Sequence, residues 1–187
     1  MKNQDICRCR WCNVKNPIYV KYHDTEWGVP GKEDSELYEL FVLEPFQAGL
    51  SWEIVLNKRE SFRRAFEGFD VEKIASLDQK RLEELALDSS IIRNRRKLSA
   101  TVKNAAVFLE IQKSFGSFSS YIKSFSKDFP IVEWDRTSSP LSDEISADLI
   151  RRGCSFMGTT IVYSFLQAAG FISSHEPGCF LSEASNK

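Results

Sequence analysis

The chain has 187 residues, room for one domain or for two small lobes sharing a core. Hydrophobic residues make up 42% and charged residues 27%, which excludes a disordered chain, and no apolar run is long enough to span a bilayer. The net charge of −1 excludes a uniformly basic coat but leaves room for local patches. Met1-Lys2-Asn3-Gln4-Asp5 lacks the apolar core of a signal peptide, and five cysteines make an odd set, so a reducing, cytoplasmic setting is expected.

In chain order the middle of the sequence reads helical. Leu37, Leu40, Phe41 and Glu44 share one face, with Asp34 and Ser35 as capping residues. A second helix is predicted from Gln47 to Phe66, stopping near Gly68; Glu44 would close the preceding helix and Pro45 open the next. Asp70 and Asp78 are N-caps of two short helices. From Arg93 onward, Leu98, Val102, Ala105, Ala106 and Leu109 keep helical spacing. Phe129 to Pro140 reads as a loop, Ser142-Asp143-Glu144 opens a helix with Gly153 as its C-cap, and Thr159 to Ala169 is an apolar helix stopped by Gly170. No alternating strand pattern stands out, so the fold class is all-α, with a helical core over about 33–170. Residues 7–30 and 171–187 are expected to be irregular.

Charge is segregated. Glu67 to Asp88 carries seven acids, whereas Ser89 to Leu109 carries Arg93, Arg95, Arg96, Lys97 and Lys103 and no acid. A basic block at a helix–turn–helix junction suits phosphate binding; a solvated helix face is the plainer alternative.

The chain ends hold four of the five cysteines and both histidines. Cys7, Cys9 and Cys12 cluster ahead of His23, and His175 and Cys179 stand four apart near the other end. Four Cys and His ligands are what a structural zinc ion takes, and a site drawn from both ends would staple them to the helical body. Three cysteines compete for the N-terminal positions, and buried thiols with satisfied histidines are the alternative. Cys154, beside Phe156, reads as a buried thiol.

Trp11, Tyr19, Tyr22, Trp27 and Trp52 crowd the first part of the chain around Leu43-Glu44-Pro45-Phe46-Gln47-Ala48-Gly49-Leu50-Ser51-Trp52. Glu44 at a helix junction could point into an aromatic cleft, where burial would raise its pKa, or remain a solvated helix-end acid.

Five motifs carry a resemblance. Cys9-Arg10-Trp11, Tyr22-His23-Asp24-Thr25-Glu26-Trp27-Gly28-Val29-Pro30, Gln47-Ala48-Gly49-Leu50-Ser51-Trp52, Gly158-Thr159-Thr160-Ile161-Val162-Tyr163-Ser164-Phe165 and His175-x-x-x-Cys179 follow one another in order across nearly the whole chain. Together they resemble the 3-methyladenine-DNA glycosylase I family. The resemblance implies a helix-hairpin-helix DNA glycosylase fold over residues 1–187 as one catalytic unit, with the hairpin at about Ser89 to Arg96. It implies one structural Zn2+ held by Cys9, His23, His175 and Cys179, which makes the ends one zinc-bound lobe and leaves Cys7 and Cys12 as extra thiols. The hairpin departs from the glycine-rich form usual in the superfamily.

The implied activity is hydrolysis of the N-glycosidic bond of 3-methyladenine in alkylated double-stranded DNA. The nucleotide is flipped out first, because the bond is out of reach inside the stack. Gly49 and Leu50 suit a wedge that fills the gap, although Leu50 also suits a helix core. Arg93, Arg95, Arg96 and Lys97 are candidates for backbone contact. Trp11 and Trp52, with Tyr19, Tyr22 and Trp27, would stack on a base made cationic by alkylation, and Glu44 would read it. The leaving group is already activated and no Schiff-base lysine is evident, so a monofunctional, monomeric enzyme releasing free 3-methyladenine is expected. A third reading has Phe46 alter the pocket toward 3-methylguanine, and a non-catalytic, zinc-stapled nucleic-acid-binding module is the alternative.

Overall fold

Local chemistry sets most of the helix starts. In the computed structural model, which describes residues 6–182, α1 spans Pro17–Thr25 with proline in its first turn and the Asn16 side chain accepting from the amides of Ile18 and Tyr19. This helix lies inside the terminal segment expected to be irregular, because the Asn-Pro start is a stronger signal than the weak apolar periodicity behind it. The second helix, α2 (Asp34–Gln47), opens with a capping box between Glu33 and Glu36 and is buried continuously from Leu37 to Phe46. It is the central post of the molecule. Around it pack α7 (Arg95–Phe115), α8 (Phe118–Lys123) and α10 (Thr159–Ala168), with Phe41 touching Phe108, Phe118 and Phe165.

The helix expected from Gln47 to Phe66 is broken. α2 runs through Glu44 and Pro45 to Gln47; α3 (Trp52–Asn57) and α4 (Arg59–Ala65) follow as separate pieces. The break falls at Gly49, whose φ of +83° ends helical geometry, and at Ser51, whose backbone is extended. Glu44 and Pro45 therefore belong to one helix rather than to a junction of two. Pro45 lies inside that helix, in its last turn.

Asp70 and Asp78 cap α5 (Val71–Ala75) and α6 (Gln79–Leu85) by accepting from the amides of Lys73 and Arg81. The chain then turns through residues 86–94 into α7, so Arg95 and Arg96 begin the helix rather than the turn. No glycine shapes this turn. Asp88 Oδ1 accepts from the Ser90 amide, and the Lys58 ammonium donates to the carbonyls of Ser89 and Ser90.

After α8 the chain forms a short strand, β1 (Ile131–Val132), within the predicted loop. It pairs in parallel with β2 (Ile172–Ser173), Ile131 opposite Ile172. Two residues per strand is too short for an alternating pattern, and the fold remains all-α. Between the strands lie α9 (Pro140–Arg151), capped by Ser139 and followed by Gly153 at φ +108°, and the apolar α10. Among the described residues no helix is long and apolar enough to cross a membrane. The expectations for Met1 to Asp5 and for residues 183–187 fall outside the described residues.

Candidate active site and metal centre

Four side chains from the two ends of the chain converge. Cys9 Sγ, His23 Nε2, His175 Nδ1 and Cys179 Sγ all lie within 4.8 Å of one another. His175 Nδ1 is 3.5 Å from the Cys9 sulfur and 3.6 Å from that of Cys179, which is 3.6 Å from His23 Nε2. A tetrahedron with ordinary zinc–sulfur and zinc–imidazole lengths has N–S edges of about 3.6 Å, so the donor set fits a four-coordinate cation.

The surroundings match that use. His23 Nδ1 pairs with Asp24 Oδ1 at 2.8 Å, and Arg8 grips the same carboxylate in two-pronged fashion at 2.8 and 2.7 Å. The Glu176 amide donates to the Cys9 sulfur. Burial first, with Cys179 close by, pushes the Cys9 thiol up to about 12 against the opposing Glu176 amide, and burial with neighbouring His23 pushes His175 down to about 4; a bound cation would favour the thiolate. Cys7 is exposed and Cys12 is buried against the Tyr19 carbonyl, both outside the four.

The cluster backs onto an aromatic cavity of about 280 Å³. Trp11 packs on Tyr19, His23 and Trp27, and Trp27 meets His175 edge to face at 4.8 Å. Tyr22 and Trp52 lie 5.5 Å apart. All five aromatic residues singled out in the sequence line this one cavity, together with Glu44. Glu44 is 3% exposed, its Oε2 has no hydrogen-bond partner, and burial pushes its carboxyl up to about 8. It reaches the cavity from the last turn of the central helix. The solvated-acid alternative is thereby removed.

Next to the cavity, the turn after α2 presents Leu50, which is 40% exposed rather than packed in a helix core. Lys97 departs from expectation. It is 6% exposed, and its ammonium donates to the carbonyls of Phe46 and Ala48 at 3.1 and 2.7 Å. It thus closes the end of α2, whose carbonyls lack helical partners, and of the four cations proposed for backbone contact only Arg93, Arg95 and Arg96 are exposed. Phe46 is turned away from the cavity, fully buried against Phe62 at 4.7 Å, and does not shape the pocket.

The methyladenine glycosylase family model matches residues 11–182. The chain belongs to that family. DNA-3-methyladenine glycosylase 1 of Escherichia coli K12 is 41% identical over 178 residues, covering 92% of this chain and 95% of that protein. A crystal structure of 3-methyladenine DNA glycosylase I superposes with a TM-score of 0.89 at 40% identity, over 94% of this chain and all of the other. A variant of 3-methyladenine DNA glycosylase I solved with 3-methyladenine superposes at 0.84 and 34% identity, over 89% and 94% of the two chains.

In this methyladenine glycosylase the cavity also takes in residues that the sequence did not single out as site residues. Gln47, Ser164, Gln167, Ser174 and Glu176 are lining residues, as are Asp135 and Arg136 from the segment after β1. Glu176 was discoverable from its place beside His175. Asp135 and Arg136 carried no signal, since an exposed acid–base pair in a loop is common.

Proposed function

We propose that this methyladenine glycosylase hydrolyses the bond between N-methylated adenine and deoxyribose in alkylated duplex DNA. The observation that carries the reading is Glu44, a buried carboxyl with an unpartnered oxygen in a cavity walled by three tryptophans and two tyrosines. A non-catalytic binding module has no use for it.

Methylation at N3 places a positive charge on the base. Aromatic faces attract such a cation more than they attract neutral adenine, and desolvation in the cavity magnifies the difference. Arrival of the cation favours the ionised form of Glu44, so binding is coupled to loss of the Glu44 proton. The carboxylate then accepts hydrogen bonds from the exocyclic amine. When the glycosidic bond breaks, its electron pair returns to the ring and neutralises it, and water supplies hydroxide to C1′ while one proton leaves to solvent. The base departs neutral, without needing a strong general acid, and the DNA retains an abasic sugar. A modest catalytic contribution suffices, and binding of the cationic base does much of the selecting.

Reaching the bond requires an extrahelical nucleotide. Leu50 is the wedge that replaces the lost stacking, with Gly49 allowing close backbone approach. Arg93, Arg95 and Arg96, on the turn and first helical residues of a helix-hairpin-helix element formed by α6 and α7, bind DNA phosphates. Cys9, His23, His175 and Cys179 hold one structural zinc ion, whose chemistry here is to fix the aromatic wall in place. The chain acts as a single catalytic unit, as a monomer, in the cytoplasm.

The test is release of 3-methyladenine from methylated duplex DNA, read by chromatography of the freed bases. Release without strand nicking is expected. Folded, metal-loaded protein that frees no 3-methyladenine would overturn the reading.

A further inference from the structure

Arg136 is an anomaly in the cavity. Among the described lining residues it alone carries a fixed positive charge, while Glu44, Asp135 and Glu176 line the same space. A guanidinium repels a cationic base, so its presence calls for a different partner. The chemical group that must stand at the cavity mouth when a nucleotide is flipped in is its own phosphodiester, whose two charged non-bridging oxygens arginine matches bidentately. We propose that Arg136 binds the phosphate flanking the flipped nucleotide and so secures the extruded backbone. This rests on the glycosylase reading and adds a DNA contact from a segment separate from the hairpin arginines.

The geometry supports a held platform with a free side chain. Arg136 Nη1 meets Glu133 through one contact of 3.4 Å, and its side chain is 57% exposed, so the guanidinium has free donors to turn to a phosphate. The backbone beneath it is fixed. The Glu133 amide donates to the Ser173 carbonyl at 3.1 Å, and the Ser174 hydroxyl donates to the Glu133 carbonyl. Asp135 between them holds a left-handed φ of 60°, uncommon for a residue with a side chain, which redirects the chain so that Asp135 and Arg136 both face the cavity. The segment is thus tied to β2, and β2 runs directly into His175 of the metal cluster.

The experiment compares wild type with Arg136→Ala, Arg136→Lys and Arg136→Glu. Three quantities are read: affinity for free 3-methyladenine, KM on methylated duplex across a salt series, and affinity for a duplex containing a tetrahydrofuran abasic analogue. Arg136→Ala should raise KM and weaken abasic-duplex binding by roughly tenfold. It should flatten the salt slope by about 0.9, while free-base affinity stays within twofold. Arg136→Lys should restore part of the loss, and Arg136→Glu should exceed it. An unchanged KM and salt slope, or an equal loss of free-base affinity, would overturn the assignment. Failure of the glycosylase reading shows separately, as wild-type protein that neither frees nor binds 3-methyladenine, and abasic-duplex binding still reports on Arg136 in that event.

Discussion

The Lys97 ammonium donates to the Ala48 carbonyl at 2.7 Å, joining the helix of the basic hairpin to the turn that carries Leu50. Burial holds this ammonium below its ordinary pKa, yet two carbonyls keep it in place. Lys97→Met should therefore destabilise by about 1–3 kcal/mol in urea unfolding, the cost of buried carbonyls left unpaired. It should leave the salt slope of DNA binding unchanged. Arg93→Ala and Arg95→Ala should do the opposite, flattening that slope by about 0.9 each with stability altered by less than about 0.5 kcal/mol. A flatter salt slope in Lys97→Met would show that the ammonium meets phosphate after all.

Glu44 links folding to pH with a definite sign. Its folded carboxyl titrates near 8 against an ordinary 4.5, so between those values the folded state binds more proton than the unfolded one. Its contribution to stability is complete below about pH 4.5 and is lost as pH rises through 8. Thermal melts of Glu44→Gln should match wild type at low pH and gain on it steadily across that window. Excision should fall on the order of 10–100-fold, because an amide cannot supply a charged contact to the base. Equal melts for the two proteins at pH 5 and pH 9 would contradict the buried, unpaired state.

Removal of the metal should loosen both chain ends together. Cys9→Ser and Cys179→Ser should reduce bound metal from about one ion per chain to near none and lower Tm by about 10 °C, roughly 3–5 kcal/mol at this length. Cys7→Ser should change neither, since that thiol stands outside the cluster and is exposed. Elemental analysis alongside calorimetry checks both halves.

Gly170 follows α10 at φ +78°, and a Cβ there would sit 2.6 Å from the backbone of Val29 and Pro30. Those atoms belong to the chain leading out of the aromatic wall, so they have no side-chain end that could swing aside. Gly170→Ala should cost roughly 3 kcal/mol or more, from left-handed strain and overpacking together. Gly116→Ala, at φ +83° with nothing within 4 Å, should cost about 1–2 kcal/mol. Chemical denaturation of the pair separates the two effects.

The sequence made some of this architecture legible and concealed the rest for identifiable reasons. Asp70, Asp78 and the apolar stripe after Arg93 announced their helices because capping and periodicity are local properties. His23, His175 and Cys179 were readable because cysteine and histidine are scarce here and spaced at both ends, whereas the choice of Cys9 over Cys7 and Cys12 came only with the family resemblance. The kink at Gly49 was hidden by continuous apolar spacing on either side. Lys97 was read as a surface cation because its company is basic; only the tertiary approach of the α2 terminus turns it inward. Arg136 was unreadable, since its meaning depends on a two-residue pairing between β1 and β2.

The cluster of two cysteines and two histidines also imposes an order of events on synthesis. Cys9 and His23 are made early, and their partners His175 and Cys179 emerge more than 150 residues later. Until then Trp27 lacks the imidazole of His175 that it meets edge to face. A nascent chain therefore exposes the arginines at the start of α7 well before it owns a finished cavity.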